Sequence, residues 1–140
     1  MPVARLEHQA EFCAAFKLGL SGASAEEDRE AFGICASPNY HGHNYMLTVV
    51  VEGQVDVRTG MVMDLKTLES EVDGLLAEVD HLNLNVDVPF LEGVNPTSEN
   101  LCIEFWSRIS SRLPEGVRLE EIRLRESRDN SVIYRGPDRD

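Results

Sequence analysis

An alternation with a period of two residues, close to the start of the chain, limits the possible folds more than any other pattern. The positions on one side of this run are Leu6, His8, Ala10, Phe12, Ala14 and Phe16, most of them apolar. Successive side chains of a β-strand point to opposite faces, so the run predicts a strand with one buried face within about 3–18. A strand of this kind requires a second layer that covers its apolar side.

Two helices and three more strands are predicted downstream. Apolar residues recur at helical spacing after Asp64, which predicts an amphipathic helix to about Val79 with Asp64 as its N-cap. A second helix begins at Thr97 or Ser98 and ends at the Pro-Glu-Gly sequence that starts at Pro114. The remaining strands are predicted over about 43–53, 117–126 and 131–134, and 21–30 is predicted as a loop.

The resulting order is ββααββ, which indicates an α+β fold. It predicts a four-stranded antiparallel sheet with both helices on one face. Such a sheet has two open edges, and association of several copies into a barrel would close them. We therefore expect an oligomer.

Composition narrows the functional class. The chain has 140 residues, 42% hydrophobic and 27% charged, which fits one globular domain over 1–140. The formal net charge of −12 argues against a nucleic-acid partner, because phosphate binding needs clustered Lys and Arg. No apolar stretch suits a membrane or a signal peptide, so a cytoplasmic location is expected. The odd, dispersed set of Cys13, Cys35 and Cys102 predicts reduced thiols.

A pair of histidines opens the second predicted strand. His41 and His43 are one residue apart, so their imidazoles project from the same face and can share a metal ion. The thiol of Cys35 lies six residues upstream of His41, across a turn that contains Pro38. Two surface histidines near a turn are the alternative interpretation. A catalytic zinc needs three protein ligands, so the pair alone is incomplete.

Asp80 and His81 follow the first helix directly. The carboxylate can fix the tautomer of an imidazole that transfers protons, and Cys35 would complete a thiol–imidazole–carboxylate set if the fold brings the three together. A histidine that interacts favourably with the C-terminus of a helix is the plainer alternative.

Glu126 shares its parity with Ile122 and Leu124, so we expect its carboxylate on a buried face, where it needs a donor-rich partner. An internal arginine is one such partner, and the guanidine-like edge of a ligand, held by two parallel hydrogen bonds, is the other. At the start of the second helix, Thr97-Ser98-Glu99 are explained by capping alone, although a helix N-terminus also offers hydrogen bonds to a ligand.

Five motifs stand in order along nearly the whole chain. With x for any residue, they are Phe32-Gly33-x-Cys35-x-x-Pro38-x-x-His41-Gly42-His43-Asn44-Tyr45, Gly60-Met61-Val62-Met63-Asp64-Leu65, Asp80-His81-x-Asn83-Leu84-Asn85, Pro96-Thr97-Ser98-Glu99-Asn100 and Arg125-Glu126-Ser127. Together they resemble the 6-pyruvoyl tetrahydropterin synthase family, which includes the 6-carboxy-tetrahydropterin synthases. The resemblance extends from about Glu7 to Gly136.

The resemblance implies a T-fold, the ββααββ arrangement, assembled as a homohexamer of two stacked trimeric barrels with active sites between subunits. It implies catalytic roles for Cys35, Asp80 and His81. It also implies a pterin pocket in which the carboxylate of Glu126 anchors the ring, lined by Thr97, Ser98 and Glu99. The implied ligands of zinc are His41 and His43 with a third histidine.

The reaction implied by the resemblance belongs to tetrahydrobiopterin biosynthesis. A carbon–oxygen lyase converts 7,8-dihydroneopterin triphosphate to 6-pyruvoyl-tetrahydropterin with loss of triphosphate. In the family, zinc acts as a Lewis acid on the hydroxyls of the pterin side chain.

One position departs from the family pattern. The third zinc histidine of the family falls at Phe16, whose ring offers no lone pair to a metal. Cys13 is three residues away and therefore faces the other side of the strand. His8 has the right parity but lies roughly 26 Å along the strand.

Three hypotheses follow from this departure. The first is an active synthase or lyase of the family, of the 6-pyruvoyl or the 6-carboxy type, with zinc retained by other means or supplied with the bound substrate. The second is a pterin-binding homologue without catalysis. The third is a metal-free lyase that cleaves a dihydropterin in the manner of an aldolase.

Overall fold

The computed structural model describes residues 1–137, so residues 138–140 of the predicted domain lie outside the described part. The elements in chain order are β1 (Val3–Phe16), α1 (Ala25–Phe32), β2 (His41–Gln54), α2 (Leu65–Leu76), β3 (Leu82–Asn83), α3 (Ser98–Ser110), β4 (Val117–Arg125) and β5 (Ser131–Tyr134). No helix formed by these residues is long and apolar enough to cross a membrane.

All five strands belong to one sheet, in the order β3-β1-β2-β4-β5. β1 and β2 are antiparallel and pair without interruption from Val3 opposite Gln54 to Phe16 opposite His41. β4 and β5 continue the sheet in antiparallel order on one side, and β3 runs parallel to β1 on the other.

The core lies between the sheet and two helices. The alternation of β1 is realised as predicted, because Phe12, Ala14 and Phe16 are buried. They join one apolar cluster with the inward residues of α2 and α3, among them Leu68 and Phe105. The α+β fold with both predicted helices on one face is confirmed.

Two elements were not expected from the sequence. β3 adds a fifth strand of only two residues, too short to show a period. α1 overlaps the segment 21–30, which was predicted as a loop with at most one helical turn, and extends beyond it; α1 buries no side chain, so it lacks an apolar stripe. The signal for α1 is instead a capping box, in which Ser24 accepts from the backbone N–H of Glu27 and the Glu27 side chain accepts from Ser24 N–H.

Charged residues cover the sheet face away from the helices. Arg5, Arg118 and Arg135 all contact the carboxylate of Glu120, at 3.3, 2.7 and 2.6 Å, and its side chain is only 3% exposed. Three guanidinium groups thus compensate one carboxylate that is largely removed from water.

Candidate active site

The ladder between β1 and β2 brings Phe16 against both predicted zinc histidines. Phe16 is paired with His41, and Ala14 with His43, so the three aromatic side chains share one face. The centroid of the Phe16 ring lies 4.3 Å from that of His41 and 5.7 Å from that of His43. Phe16 is 1% exposed. A buried hydrocarbon ring therefore lies beside the two imidazoles.

His41 lies in an apolar setting. Both of its ring nitrogens are buried, and neither has a hydrogen-bond partner within residues 1–137. Burial lowers the pKa of His41 below its ordinary value, and His43 lowers it further, while Glu126 acts in the opposite direction. The neutral imidazole is accordingly the favoured form.

Glu126 connects this histidine pair to the N-terminus of α3. Its Oε1 lies 3.2 Å from Nε2 of His43, and its Oε2 accepts a hydrogen bond of 3.2 Å from the hydroxyl of Ser98. Ser98 is buried, and Thr97 caps the helix by accepting from the backbone N–H of Asn100. The side chain of Glu126 is 31% exposed. The carboxylate of Glu126 thus lies between His43 and Ser98 and remains partly accessible to solvent.

Two further predicted residues lie nearby. Glu99, the second residue of α3, is exposed. Cys35 lies in a short 3-10 helix, Gly33–Ala36, and its backbone carbonyl accepts from Leu18 N–H. The thiol of Cys35 is part of the environment of Tyr45, as described next.

Tyr45 is a site residue that the sequence analysis did not single out. Its pKa is raised, chiefly by burial and then by the charges of Glu126 and Cys35, so all three groups face one region. Its buried hydroxyl has no partner in the described part of the chain. The signal was available in the sequence, because Tyr45 has the same parity as His41 and His43.

Asp80 and His81 form a second cluster, beside β1. Oδ1 of Asp80 lies 2.9 Å from Nδ1 of His81 and accepts a 2.9 Å hydrogen bond from the backbone N–H of Cys13. This backbone hydrogen bond is the main cause that lowers the pKa of Asp80, and the imidazole adds to it. The pair therefore holds an ionised carboxylate against an exposed imidazole.

The thiol next to this pair is that of Cys13. Among residues 1–137, Cys13, Asp80 and His81 are the one set that brings three metal-ligating atoms within 4.8 Å of one another. Cys35 is not in this set. Its thiol, the carboxylate of Asp80 and the imidazole of His81 therefore do not all lie within 4.8 Å of one another in a single chain. The parallel pairing of Ala14 with Leu82 explains the result, because it places Cys13 beside His81.

The residues around His41 and His43 do not fit a zinc ion with three protein ligands. Phe16 replaces the third ligand by a ring without lone pairs. Within residues 1–137, Glu126 and the two histidines do not bring one ligand atom each within 4.8 Å of one another. A catalytic zinc needs three such groups within bonding reach of one point.

The fold and the amino-acid sequence of this chain both match one known protein family. The sheet with its helices on one face is a T-fold. It superimposes on the structure of Caenorhabditis elegans 6-pyruvoyl tetrahydropterin synthase with a TM-score of 0.92, at 36% identity and with 98% of each chain covered. The family model of 6-pyruvoyl tetrahydropterin synthase matches residues 5–137. The chain belongs to this family.

Two curated relatives bear on the chemistry. The 6-pyruvoyl tetrahydrobiopterin synthase of Homo sapiens is 37% identical over 134 residues, which cover 95% of this chain and 92% of the human protein. The dihydroneopterin monophosphate aldolase of Pyrococcus furiosus is 40% identical over 92 residues, 66% of this chain and 75% of the aldolase.

Proposed function

We propose that this chain is a lyase of tetrahydrobiopterin biosynthesis that converts 7,8-dihydroneopterin triphosphate to 6-pyruvoyl-tetrahydropterin with loss of triphosphate. The observation that carries the proposal is the carboxylate of Glu126, which accepts a hydrogen bond from the hydroxyl of Ser98 at the N-terminus of α3 and is 31% exposed. The similarity to synthases over nearly the whole chain supports the same reaction.

Glu126 binds the pterin ring. A pterin presents an amino group and a ring N–H side by side, and a carboxylate accepts both through two parallel hydrogen bonds. Ser98 holds one carboxylate oxygen in place. Thr97 and Glu99 line the same pocket and contribute to its shape and polarity.

Cys35 exchanges a proton of the pterin side chain, and Asp80 and His81 form the relay that delivers or removes it. We infer that the thiol and the relay come from different subunits, because Cys35 does not belong to the compact group that Cys13, Asp80 and His81 form within residues 1–137. We therefore propose a homohexamer of two stacked trimeric barrels, located in the cytoplasm.

A second function, cleavage of a dihydropterin in the manner of an aldolase, is favoured by Phe16. An aldol cleavage breaks a carbon–carbon bond of the side chain after a proton is taken from a hydroxyl, and general acids and bases suffice for it. The Pyrococcus furiosus aldolase, at 40% identity, adds weight to this candidate. A pterin-binding homologue without turnover is the remaining outcome.

The products of 7,8-dihydroneopterin triphosphate separate these functions. Purified protein is incubated with this compound under nitrogen, and the mixture is analysed by liquid chromatography and mass spectrometry. Free triphosphate with 6-pyruvoyl-tetrahydropterin supports the synthase. A shortened pterin with a released two-carbon fragment supports the aldolase.

Matched variants complete the test. Cys35→Ala should stop turnover and leave binding unchanged, whereas Cys102→Ala, at a buried thiol of α3, should turn over normally if the fold is intact. Binding without any product supports the homologue that only binds pterin. If 7,8-dihydroneopterin triphosphate does not bind in calorimetry, the pterin assignment is wrong.

A further inference from the structure

We propose that Cys13, Asp80 and His81 form a binding site for a divalent transition-metal ion, best suited to Zn²⁺, on the sheet face opposite His41 and His43. This site is separate from the histidine pair at which the family places its zinc. The proposal goes beyond the proposed function, and its test does not depend on pterin turnover.

Three donor groups from two segments of the chain converge at this site. The thiol of Cys13, a carboxylate oxygen of Asp80 and one ring nitrogen of His81 all lie within 4.8 Å of one another. Around a tetrahedral zinc, the bond lengths place sulfur and nitrogen ligands about 3.6 Å apart. We expect rotations of the three side chains to bring the donors to that distance.

Hydrogen bonds of the Cys13 backbone already hold Asp80 and His81 beside this residue. Cys13 N–H donates to Oδ1 of Asp80 at 2.9 Å, and Cys13 C=O accepts from the backbone N–H of His81 at 2.6 Å. His81 adopts a φ of 63°, which is uncommon for a residue other than glycine. The chain therefore holds a less favourable backbone conformation that directs these residues toward Cys13.

The chemistry of the three donors favours zinc over calcium or magnesium. A thiolate, an imidazole and a carboxylate are the ligand types that zinc uses, whereas Ca²⁺ and Mg²⁺ prefer oxygen alone. Three protein ligands leave one coordination position free. A cleft of about 580 Å³ adjoins the site, because Cys13 and His81 line it together with Asn44, Asn83 and Asp87.

A metal at this site has a consequence for the relay. The imidazole of His81 cannot ligate a cation through a nitrogen and carry a proton on that nitrogen at the same time. Occupancy of the site and proton transfer through His81 are thus alternative states.

Cobalt provides the test, because a thiolate bound to Co²⁺ produces a charge-transfer band in the near ultraviolet. Protein stripped with chelator is titrated with Co²⁺ alone, and zinc affinity is measured by competition. The unchanged protein should show the band. Cys13→Ser should abolish it and weaken binding at least 10-fold, a loss at the lower end for disturbing a metal site. Cys35→Ser and His41→Gln are matched controls that should keep the band.

His81→Gln keeps the test decisive if Cys13→Ser does not fold. The side chain of His81 is 78% exposed, so this variant leaves the core intact. It should also lose at least 10-fold in Co²⁺ affinity. The proposal is overturned if the unchanged protein shows no thiolate band. It is equally overturned if the band survives Cys13→Ser or is lost in Cys35→Ser or His41→Gln.

Discussion

Among single residues, Glu126 is the one to which we assign recognition of the pterin ring. Its two carboxylate oxygens face different partners, His43 on one side and Ser98 on the other. A ligand with two adjacent N–H groups can use the open edge of the same carboxylate without displacing Ser98. The geometry favours a planar, guanidine-like edge over a single cationic group.

Glu126→Gln should weaken pterin binding. The amide of glutamine is uncharged and offers one acceptor oxygen, whereas the carboxylate is charged and offers two. Hydrogen bonds to charged groups contribute about 1.5–3 kcal/mol, so the Kd should rise by roughly 10- to 150-fold. Calorimetry with 7,8-dihydroneopterin measures the change. Glu115→Gln removes the same charge from an exposed turn and serves as the control. Equal affinity in both variants would contradict the anchor role.

Phe16→His should create the third ligand beside His41 and His43, since the new imidazole takes the place of a ring only 4.3 Å from His41. We expect about one more zinc per chain than in the unchanged protein. Without metal, burying the polar ring should cost roughly 1–3 kcal/mol of stability. Elemental analysis and denaturation with and without chelator measure both effects.

Phe12→His is the matched control for that change. Phe12 is equally buried on the same face, but it stacks on Tyr45 and not on the histidine pair. It should lose stability without any gain in zinc. If Phe16→His also gains none, His41 and His43 do not converge on a common metal position.

Among the elements, the N-terminus of α3 carries both a helix cap and the residues that we assign to the proposed pterin pocket. Thr97→Ala removes the hydroxyl that accepts from Asn100 N–H and should cost about 1 kcal/mol in the free energy of unfolding. Because Ser98 follows directly, pterin affinity should fall as well. Thr97→Ser keeps the acceptor and should restore both. Urea denaturation and calorimetry measure the two quantities, and an unchanged stability would exclude the capping role.

The elements also show what a sequence of this kind can reveal. The period of two around Phe12 and the cap at Asp64 are local signals, and both were read correctly. The location of Cys13 beside His81 was not predictable, because it depends on a parallel pairing of β1 with the two-residue β3, which carries no pattern of its own. Parity did show that Cys13 faces away from Phe16, but not which residues it would meet.

At the scale of the whole molecule, the sheet retains two open edges, β3 and β5. Both strands are short, of two and four residues, and β3 pairs only with Ala14 and Ala15, so most of the outer edge of β1 has no strand partner within residues 1–137. The face that carries Arg5, Glu120 and their neighbours is charged but largely paired internally. These features suit a closed assembly whose inner surface is polar.

Mixing two inactive variants tests whether a site is shared between subunits. Cys35→Ala and His81→Gln should each be inactive alone. Hexamers that contain both in equal amounts should regain about a quarter of the activity, since each site takes its thiol and its imidazole from different, randomly drawn chains. Turnover after co-expression measures the recovery. Activity that stays at the background of either variant would mean that each chain supplies both groups itself.

The uninterrupted ladder between β1 and β2 has a consequence for how this protein can tolerate insertions and deletions. Fourteen residues of β1 pair in sequence, and residues three apart, Cys13 and Phe16, serve opposite faces. If one residue is lost or gained within the strand, every side chain on one side of the change moves to the other face of the sheet. The loss of one residue before Cys13 would turn its thiol toward the core face of the sheet and the ring of Phe16 toward the opposite face. The spacing of β1, more than the identity of any one residue in it, thus keeps the two clusters chemically distinct.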